Sequence, residues 1–281
     1  SGVASTFKTQ GNSTIRYDGV AGGNTAVCIL SDEPVGIDPT VSGDRDMQNI
    51  GLSNIVIDGN AKAGIGVYMV RAFSNNNLDF ITVTNTTTHG FLAMKCWNGS
   101  IRNWMAVQNL GCGITLGQNI YGWDSALVDQ SHFDSIFGYY SGYSSGSYLN
   151  QFNQTTNVVA EYGIGVFGGR GLTFTNAQGL QCGGMGIYVN SGGEPVVFNG
   201  GYCEINGRSS GSTKSWDLWF FGAAGGGSWD VTFNNMHLGT GQGKQSAVRL
   251  TGTEPSREEA GVLFNRMQLI MNIEADWTNY R

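Results

Sequence analysis

Residues 80–116 read FITVTNTTTHGFLAMKCWNGSIRNWMAVQNLGCGITL, and the same pattern runs through this stretch twice. Phe80-Ile81-Thr82-Val83-Thr84-Asn85 leads through a polar turn to Gly90-Phe91-Leu92. Trp104-Met105-Ala106-Val107-Gln108-Asn109 leads through another to Gly113-Ile114-Thr115-Leu116. The first pair of aromatics is offset by 24 positions, the two asparagines by 24 and the two glycines by 23. A fixed spacing of this size marks a repeat architecture.

The spacing extends in both directions. Upstream, Ile55-Val56-Ile57-Asp58-Gly59-Asn60 leads to Gly64-Ile65-Gly66-Val67. Downstream, Phe152 and Asn157 lie 48 positions beyond Trp104 and Asn109. Leu172-Thr173-Phe174 returns as Val196-Val197-Phe198 after 24 positions, as Val231-Thr232-Phe233 after a further 35 and as Val262-Leu263-Phe264 after a further 31. The two longer steps predict insertions, at about 207–214 and 252–259.

Each repeat carries two short β-like runs divided by Gly, Asn, Ser and Thr, with no room for a helix of about ten residues. The runs return in one direction, which predicts parallel stacking of successive turns and no hairpins. The predicted fold is all-β: a single-stranded right-handed parallel β-helix of about 24 residues per rung. Residues 1–50 form an irregular entry to the coil, and 51–281 form the β-helix, one domain overall. Asn60, Asn85, Asn109 and Asn157 are predicted to stack as an asparagine ladder at one corner, because Asn tolerates the left-handed backbone.

Composition narrows the function. Charged residues are 13% of the chain and the pattern is regular, which excludes disorder. A net charge of −6 argues against a nucleic-acid partner. No apolar run reaches the length that crosses a bilayer, so membrane insertion is not expected. Cys28, Cys96, Cys112, Cys182 and Cys203 are odd in number and not at zinc spacing, which predicts buried thiols and folding in a reducing cytoplasm. The chain opens Ser1-Gly2, which predicts a tag remnant or a domain cut from a longer chain.

Two motif-like strings carry no chemistry. Gly163-Ile164-Gly165-Val166-Phe167-Gly168 fits GxGxxG but coincides with a predicted strand, whereas a dinucleotide site needs the junction of strand and helix. Gly241-Gln242-Gly243-Lys244-Gln245 lacks the first glycine and the hydroxyl of a P-loop. No zincin or EF-hand pattern is present, so no cofactor and no metal are expected.

Ile57-Asp58-Gly59-Asn60 with Gly64-Ile65-Gly66-Val67, followed by Gly90-Phe91 and Gly113-Ile114, resembles the pectate-lyase-like β-helix superfamily, clearly over about residues 50–205 and loosely beyond. The superfamily includes secreted pectin-degrading enzymes and bacteriophage tailspikes that bind or cut bacterial surface polysaccharides. Its polygalacturonases carry NTD, paired Asp, GHG and RIK motifs. This chain has only Thr88-His89-Gly90 in place of GHG, so that catalytic set is not carried over. The resemblance, with Gly/Ser/Asn-rich rungs and free thiols, implies a tailspike-type polysaccharide depolymerase. It implies a homotrimer, a bacterial capsular polysaccharide or O-antigen as partner, and a place in the virion tail, with secretion as the alternative.

Stacking turns the sequence into a map, since positions one rung apart lie about 4.8 Å apart. Arg71 and Lys95 are 24 positions apart, and Gln118, Tyr140, Tyr143 and Arg170 continue roughly that column. These residues, with Trp123, are the predicted substrate-binding set. Residues 123–148 depart most from the repeat and hold Asp124, Asp129 and Asp134, His132, Trp123, Tyr139, Tyr140, Tyr143 and Tyr148. Sugar rings pack on such aromatic planes. Glu161 lies 27 positions after Asp134, and neighbouring carboxyls push their pKa values apart, as glycoside hydrolysis requires. Asp134 and Glu161 are the predicted catalytic pair, with Asp129 and His132 as candidate assistants. A lyase, using Lys95, Arg71, Arg170, His89 or a tyrosine, is the second enzymatic option for a uronic-acid substrate. A glycan-binding fibre domain and a purely structural coil are the non-enzymatic ones. Trp216, Trp219, Phe220, Phe221 and Trp229 read as core or subunit interface.

Overall fold

The computed structural model describes residues 2–4, 13–21, 25–30, 50–72, 77–118, 128–143, 146–149, 155–158, 162–190, 195–207, 216–222, 230–239, 248–252, 261–269 and 273–276. These contain strands and no helix. In chain order the strands are β1 (Gly2–Ala4), β2 (Ser13–Arg16), β3 (Thr25–Leu30), β4 (Gly51–Asp58), β5 (Ile65–Val70), β6 (Asn77–Thr84), β7 (His89–Met94), β8 (Cys96–Trp97), β9 (Ser100–Val107), β10 (Cys112–Leu116), β11 (Val128–Asp129), β12 (His132–Asp134) and β13 (Phe137–Tyr139). They continue as β14 (Gly146–Leu149), β15 (Thr155–Val158), β16 (Tyr162–Val166), β17 (Gly169–Arg170), β18 (Leu172–Leu180), β19 (Met185–Val189), β20 (Val196–Glu204), β21 (Leu218–Gly222), β22 (Asp230–Gly239), β23 (Val248–Gly252), β24 (Gly261–Asn265), β25 (Gln268–Leu269) and β26 (Ile273–Asp276).

The chain alternates between two long sheets. A 12-stranded sheet runs β1-β2-β4-β6-β9-β12-β18-β20-β22-β24, with β13 beside β9 and β18 and β25 beside β22. A 9-stranded sheet runs β26-β23-β21-β19-β16-β10-β7-β5-β3. A short third sheet joins β17, β11 and β8. From β2 onward every pairing in these three sheets is parallel, a winding consistent with a β-helix or solenoid.

The register explains the spacing read from the sequence. Ile81 pairs with Trp104 and Leu172 with Val196, steps of 23 and 24 positions. Val196 pairs with Val231 and Val231 with Val262, the longer steps of 35 and 31. Other steps are larger: Met105 pairs with Phe137 and Phe137 with Gln178, 32 and 41 positions on. The coil after β9 is reached at β13, 32 positions on, and Phe152 lies outside the described residues. The absence of hairpins also needs correcting. β14 and β15 pair antiparallel, as do β1 and β2. The β14–β15 pair is inserted between two successive strands of the parallel winding.

Inward side chains stack coil upon coil. Phe133, Phe174, Phe198, Phe233 and Phe264 form a column with ring centroids 4.9, 4.4, 4.9 and 5.4 Å apart and near-parallel planes. Phe91 stacks on Trp104 across the core at 4.3 Å. Where the sheets approach most closely, glycines face glycines. A Cβ on Gly138 would lie 2.4 Å from the Gly163 backbone, and one on Gly179 would lie 2.4 Å from that of Gly186. Gly163 is thus a packing residue on β16, in keeping with a strand rather than a dinucleotide loop. The 9-stranded sheet is buried on both faces: Val67, Met69, Phe91 and Ala93 face the main core, while Tyr68, Val70, Leu92 and Met94 join a second apolar cluster with Tyr162, Met185 and Trp216. Cys96, Cys112, Cys182 and Cys203 are buried thiols.

The corners are columns of left-handed backbone. One bends β4, β6, β9, β18, β20 and β22 of the 12-stranded sheet and falls between β12 and β13 and between β24 and β25. Its members are Asn54, Phe80, Asn103, Ser135, Asn176, Gly200, Asn235 and Arg266, with φ between 52° and 69°. A second follows the strand ends at Asn85, Gln108, Tyr140, Gln181 and Ile205. The predicted ladder of Asn60, Asn85, Asn109 and Asn157 is not formed. Asn85 occupies the second corner and is exposed, Asn109 is buried one position later, and Asn157 lies in β15. Asn109 still bridges coils, its Oδ1 accepting from Thr86 N and Oγ1 at 3.1 and 2.7 Å. Asn206 does the same for Cys182 N at 2.9 Å.

Candidate functional site

The outward face of the 12-stranded sheet is where side chains of several coils meet solvent. Beyond the mid-strand bend, one column runs Met105, Phe137, Gln178, Tyr202 and His237. The next outward column runs Val107, Tyr139, Leu180 and Glu204. On β20, alternation places Phe198 and Cys203 inward and Tyr202 and Glu204 outward. Tyr202 Oη donates to Glu204 Oε2, and its ring stacks on His237 with centroids 4.6 Å apart and planes 13° from parallel. The Glu204 carboxylate beside it pushes the Tyr202 phenol up to about 12, so the phenol keeps its proton at neutral pH. Tyr139 and Tyr140 meet edge to face at 4.5 Å.

Behind this face lies a buried acid. Asp217, just before β21, is fully buried; its Oδ1 accepts from Asn206 Nδ2 at 2.8 Å and its Oδ2 has no hydrogen-bond partner. Burial pushes its pKa up to about 7; the nearby Glu204 charge raises it further and the Asn206 bond lowers it. With no accessible surface, Asp217 cannot reach a polymer. Its effect is on stability. The folded pKa stands above the reference value of 3.8, so between about 4 and about 7 the folded chain holds a proton that the unfolded chain has released. The Asp217 contribution to stability is therefore expected to fall as pH rises through that window, by on the order of 4 kcal/mol, and to level off above it. It is opposed by buried His89, whose lowered pKa makes stability rise with pH between about 4 and about 6.5. Asp217→Asn should remove the falling part and leave the rising one. The stability difference between the two proteins, measured by urea unfolding at pH 5 and pH 8, should therefore change with pH in favour of the variant at pH 8.

The predicted site residues fall in separate places. Asp134, half-buried on β12, accepts from Ser135 Oγ at 3.0 Å and has Arg102 and Thr175 as its register neighbours. The position one coil beyond Asp134 is therefore Thr175. Glu161 lies outside the described residues, in the sequence just before β16 of the other sheet. His132 is exposed between Ser100 and Thr173. Asp129 is 2% exposed and closes a clamp: Trp97 Nε1 donates to its Oδ2 at 2.7 Å, and Arg170 binds both its oxygens. Trp97, Asp129 and Arg170 are neighbours in register in the short third sheet, so this clamp ties three coils together.

Arg71 and Lys95 do stack, since Arg71 N donates to Met94 O, and both are buried with left-handed backbone. Arg170 does not continue that column; it belongs with Trp97 and Asp129. Tyr140 sits in the strand-end corner, and Tyr143 Oη donates to Gln181 O at 2.9 Å. Trp123 and Trp229 lie outside the described residues. His89 is fully buried with Nε2 3.1 Å from Gln118 Oε1, and burial lowers its pKa to about 4, so it is neutral at pH 7 and out of reach of a polymer. Trp216 and Phe220 are core residues, and the Arg249 guanidinium lies 4.3 Å from the Trp216 ring and 5.2 Å from the Trp219 ring.

Glu204, with Glu194 and Asp217, is a fallback carboxyl in the sequence, whereas its neighbours Tyr202 and His237 sit on ordinary-looking strands and do not stand out there. The signal was available. Aligning Asn176-Ala177-Gln178, Gly200-Gly201-Tyr202 and Asn235-Met236-His237 by their preceding triplets places Gln178, Tyr202 and His237 in one outward column. Among the described residues no group of three or more His, Cys, Asp or Glu side chains is arranged to hold a metal. Compared with models of known protein families and with curated proteins, the chain matches none.

Proposed function

We propose that this chain binds a bacterial capsular polysaccharide or O-antigen across the outward face of its 12-stranded sheet and hydrolyses it. In this reading it is a tailspike-type domain, a right-handed parallel β-helix of about 24 residues per coil in the pectate-lyase-like superfamily. It assembles as a homotrimer and acts outside the cell. The observation that carries the reading is the outward cluster of Tyr202, Glu204 and His237 on neighbouring strands of a long parallel sheet. A strand spacing of about 4.8 Å lets a polymer lie over several coils and be gripped at each. The Tyr202 hydroxyl and the edges of the stacked Tyr202 and His237 rings offer contacts to a sugar, and the Glu204 carboxylate serves as base or nucleophile. His237, stacked on Tyr202 beside Glu204, is the group placed to serve the leaving oxygen.

Incubation with purified capsular polysaccharides and O-antigens from many bacteria should shorten at least one of them, with new reducing ends. Binding without shortening supports the second reading, a glycan-binding fibre domain. That reading is favoured by one fact: Asp217, a carboxyl that feels the Glu204 charge, is sealed from solvent. Neither binding nor shortening across the panel would reject both.

A further inference from the structure

One position in the mid-strand corner breaks the pattern of its column. Asn54, Phe80, Asn103, Ser135, Asn176, Asn235 and Arg266 all hold the left-handed conformation with a side chain in place. Gly200 holds it at φ +69° with none, and a Cβ built there meets nothing within 4 Å. The backbone does not require glycine at this corner, because its neighbours one coil away on each side use asparagine. The next residue differs: a Cβ on Gly201 would lie 2.4 Å from Ala177 O, so packing explains that glycine. What Gly200 supplies is empty space on the exposed face.

The open position has defined neighbours. Along the coil axis it is bounded by Asn176 and Asn235, about 10 Å apart across two strand spacings. On one side Asn234 Nδ2 donates to Asn199 Oδ1 at 2.9 Å. On the other is the column of Gln178, Tyr202 and His237, where Gln178 Nε2 donates to Asn176 Oδ1 at 2.8 Å. Each primary amide has two donors and a carbonyl, so these pairs leave further groups for a ligand's hydroxyls. The strands β18, β20 and β22 contain no lysine or arginine. An anionic sugar would meet Glu204 there with no lysine or arginine on these strands to offset it; Arg266 stands in the corner column one coil beyond Asn235.

We infer that the gap at Gly200 is a subsite for one neutral pyranose unit, flanked by asparagine amides and by the Tyr202 and His237 rings. This rests on the proposed glycan-binding function and names its substrate class: neutral or amide-bearing sugars rather than polyuronates. The test is Gly200→Asn in the whole chain. Asparagine already occupies this corner in the adjoining coils, so the variant should keep its fold and melting temperature while its side chain fills the gap. Titration of purified neutral O-antigen polysaccharides and of uronate-containing capsular polysaccharides should show binding of a neutral polymer by the unaltered chain. Gly200→Asn should weaken that binding by at least about tenfold. Equal affinity in the variant, or a preference of the unaltered chain for polyuronates, overturns the subsite while leaving glycan binding standing. An unaltered chain that binds no glycan overturns both. Should Gly200→Asn fail to melt cooperatively, Tyr202→Ala replaces it, with the same loss expected and unchanged affinity again counting against the subsite.

Discussion

Glu204→Gln is expected to reduce depolymerisation by at least about a hundredfold while glycan binding and melting temperature stay close to those of the unaltered chain. Gln keeps the size of Glu and its amide oxygen still accepts from Tyr202, so the outward cluster remains assembled. What it loses is a group that can take a proton or attack the anomeric carbon, a contribution of roughly 10²- to 10⁴-fold to turnover. A loss confined to kcat with unchanged affinity is the pattern of an interaction made only in the transition state. Asp134→Asn, two coils away in the polar column formed by Asp79, Arg102 and Asp134, serves as the comparison. If turnover falls in Asp134→Asn and not in Glu204→Gln, the reaction centre lies on the earlier coils.

Arg170→Ala should behave in the opposite way, losing stability with intrinsic turnover retained. It leaves the Asp129 carboxylate buried without its cation, and breaking a buried pair from one side costs about 3–5 kcal/mol. Asp129→Ala is expected to cost less than Arg170→Ala, because the Arg170 side chain is 42% exposed and can return to water. Trp97 would still lose its 2.7 Å acceptor. Denaturant unfolding of the two variants measures the difference. Turnover per folded molecule that collapses in both, without loss of stability, would return Asp129 and Arg170 to the site.

The parallel winding was legible in the sequence because the inward triplets around Phe174, Phe198, Phe233 and Phe264 must repeat for rings to stack on rings. The insertions were legible only where they lengthened a step between two such triplets. The hairpin of β14 and β15 was not, because its strands have the same composition as those of the winding. The asparagine ladder was misplaced for a general reason. A left-handed corner is imposed by the path of the chain, and once imposed it accepts Phe80, Lys95, Tyr140 and Arg266 as well as asparagine. Residue type therefore marked the corners poorly. The concentration of Asp, His and Tyr at 123–148 stands out in the sequence, whereas Asp129 there holds coils together through Trp97 and Arg170. Tyr202 and Glu204 share β20, but His237 lies 35 positions beyond Tyr202, and only the long step between β20 and β22 brings the two rings together.

A polysaccharide lying on the outward face of the 12-stranded sheet would shield that face from hydroxyl radicals. Footprinting of the chain with and without a bound polysaccharide reads this out, because tyrosine, histidine, methionine and tryptophan report their own exposure. Tyr202, His237 and Tyr139 are expected to be protected, with Tyr188 and Trp219 of the 9-stranded sheet labelled equally in both states. Protection confined to Tyr188 and Trp219, with Tyr202 and His237 unchanged, would place the polysaccharide on the other sheet.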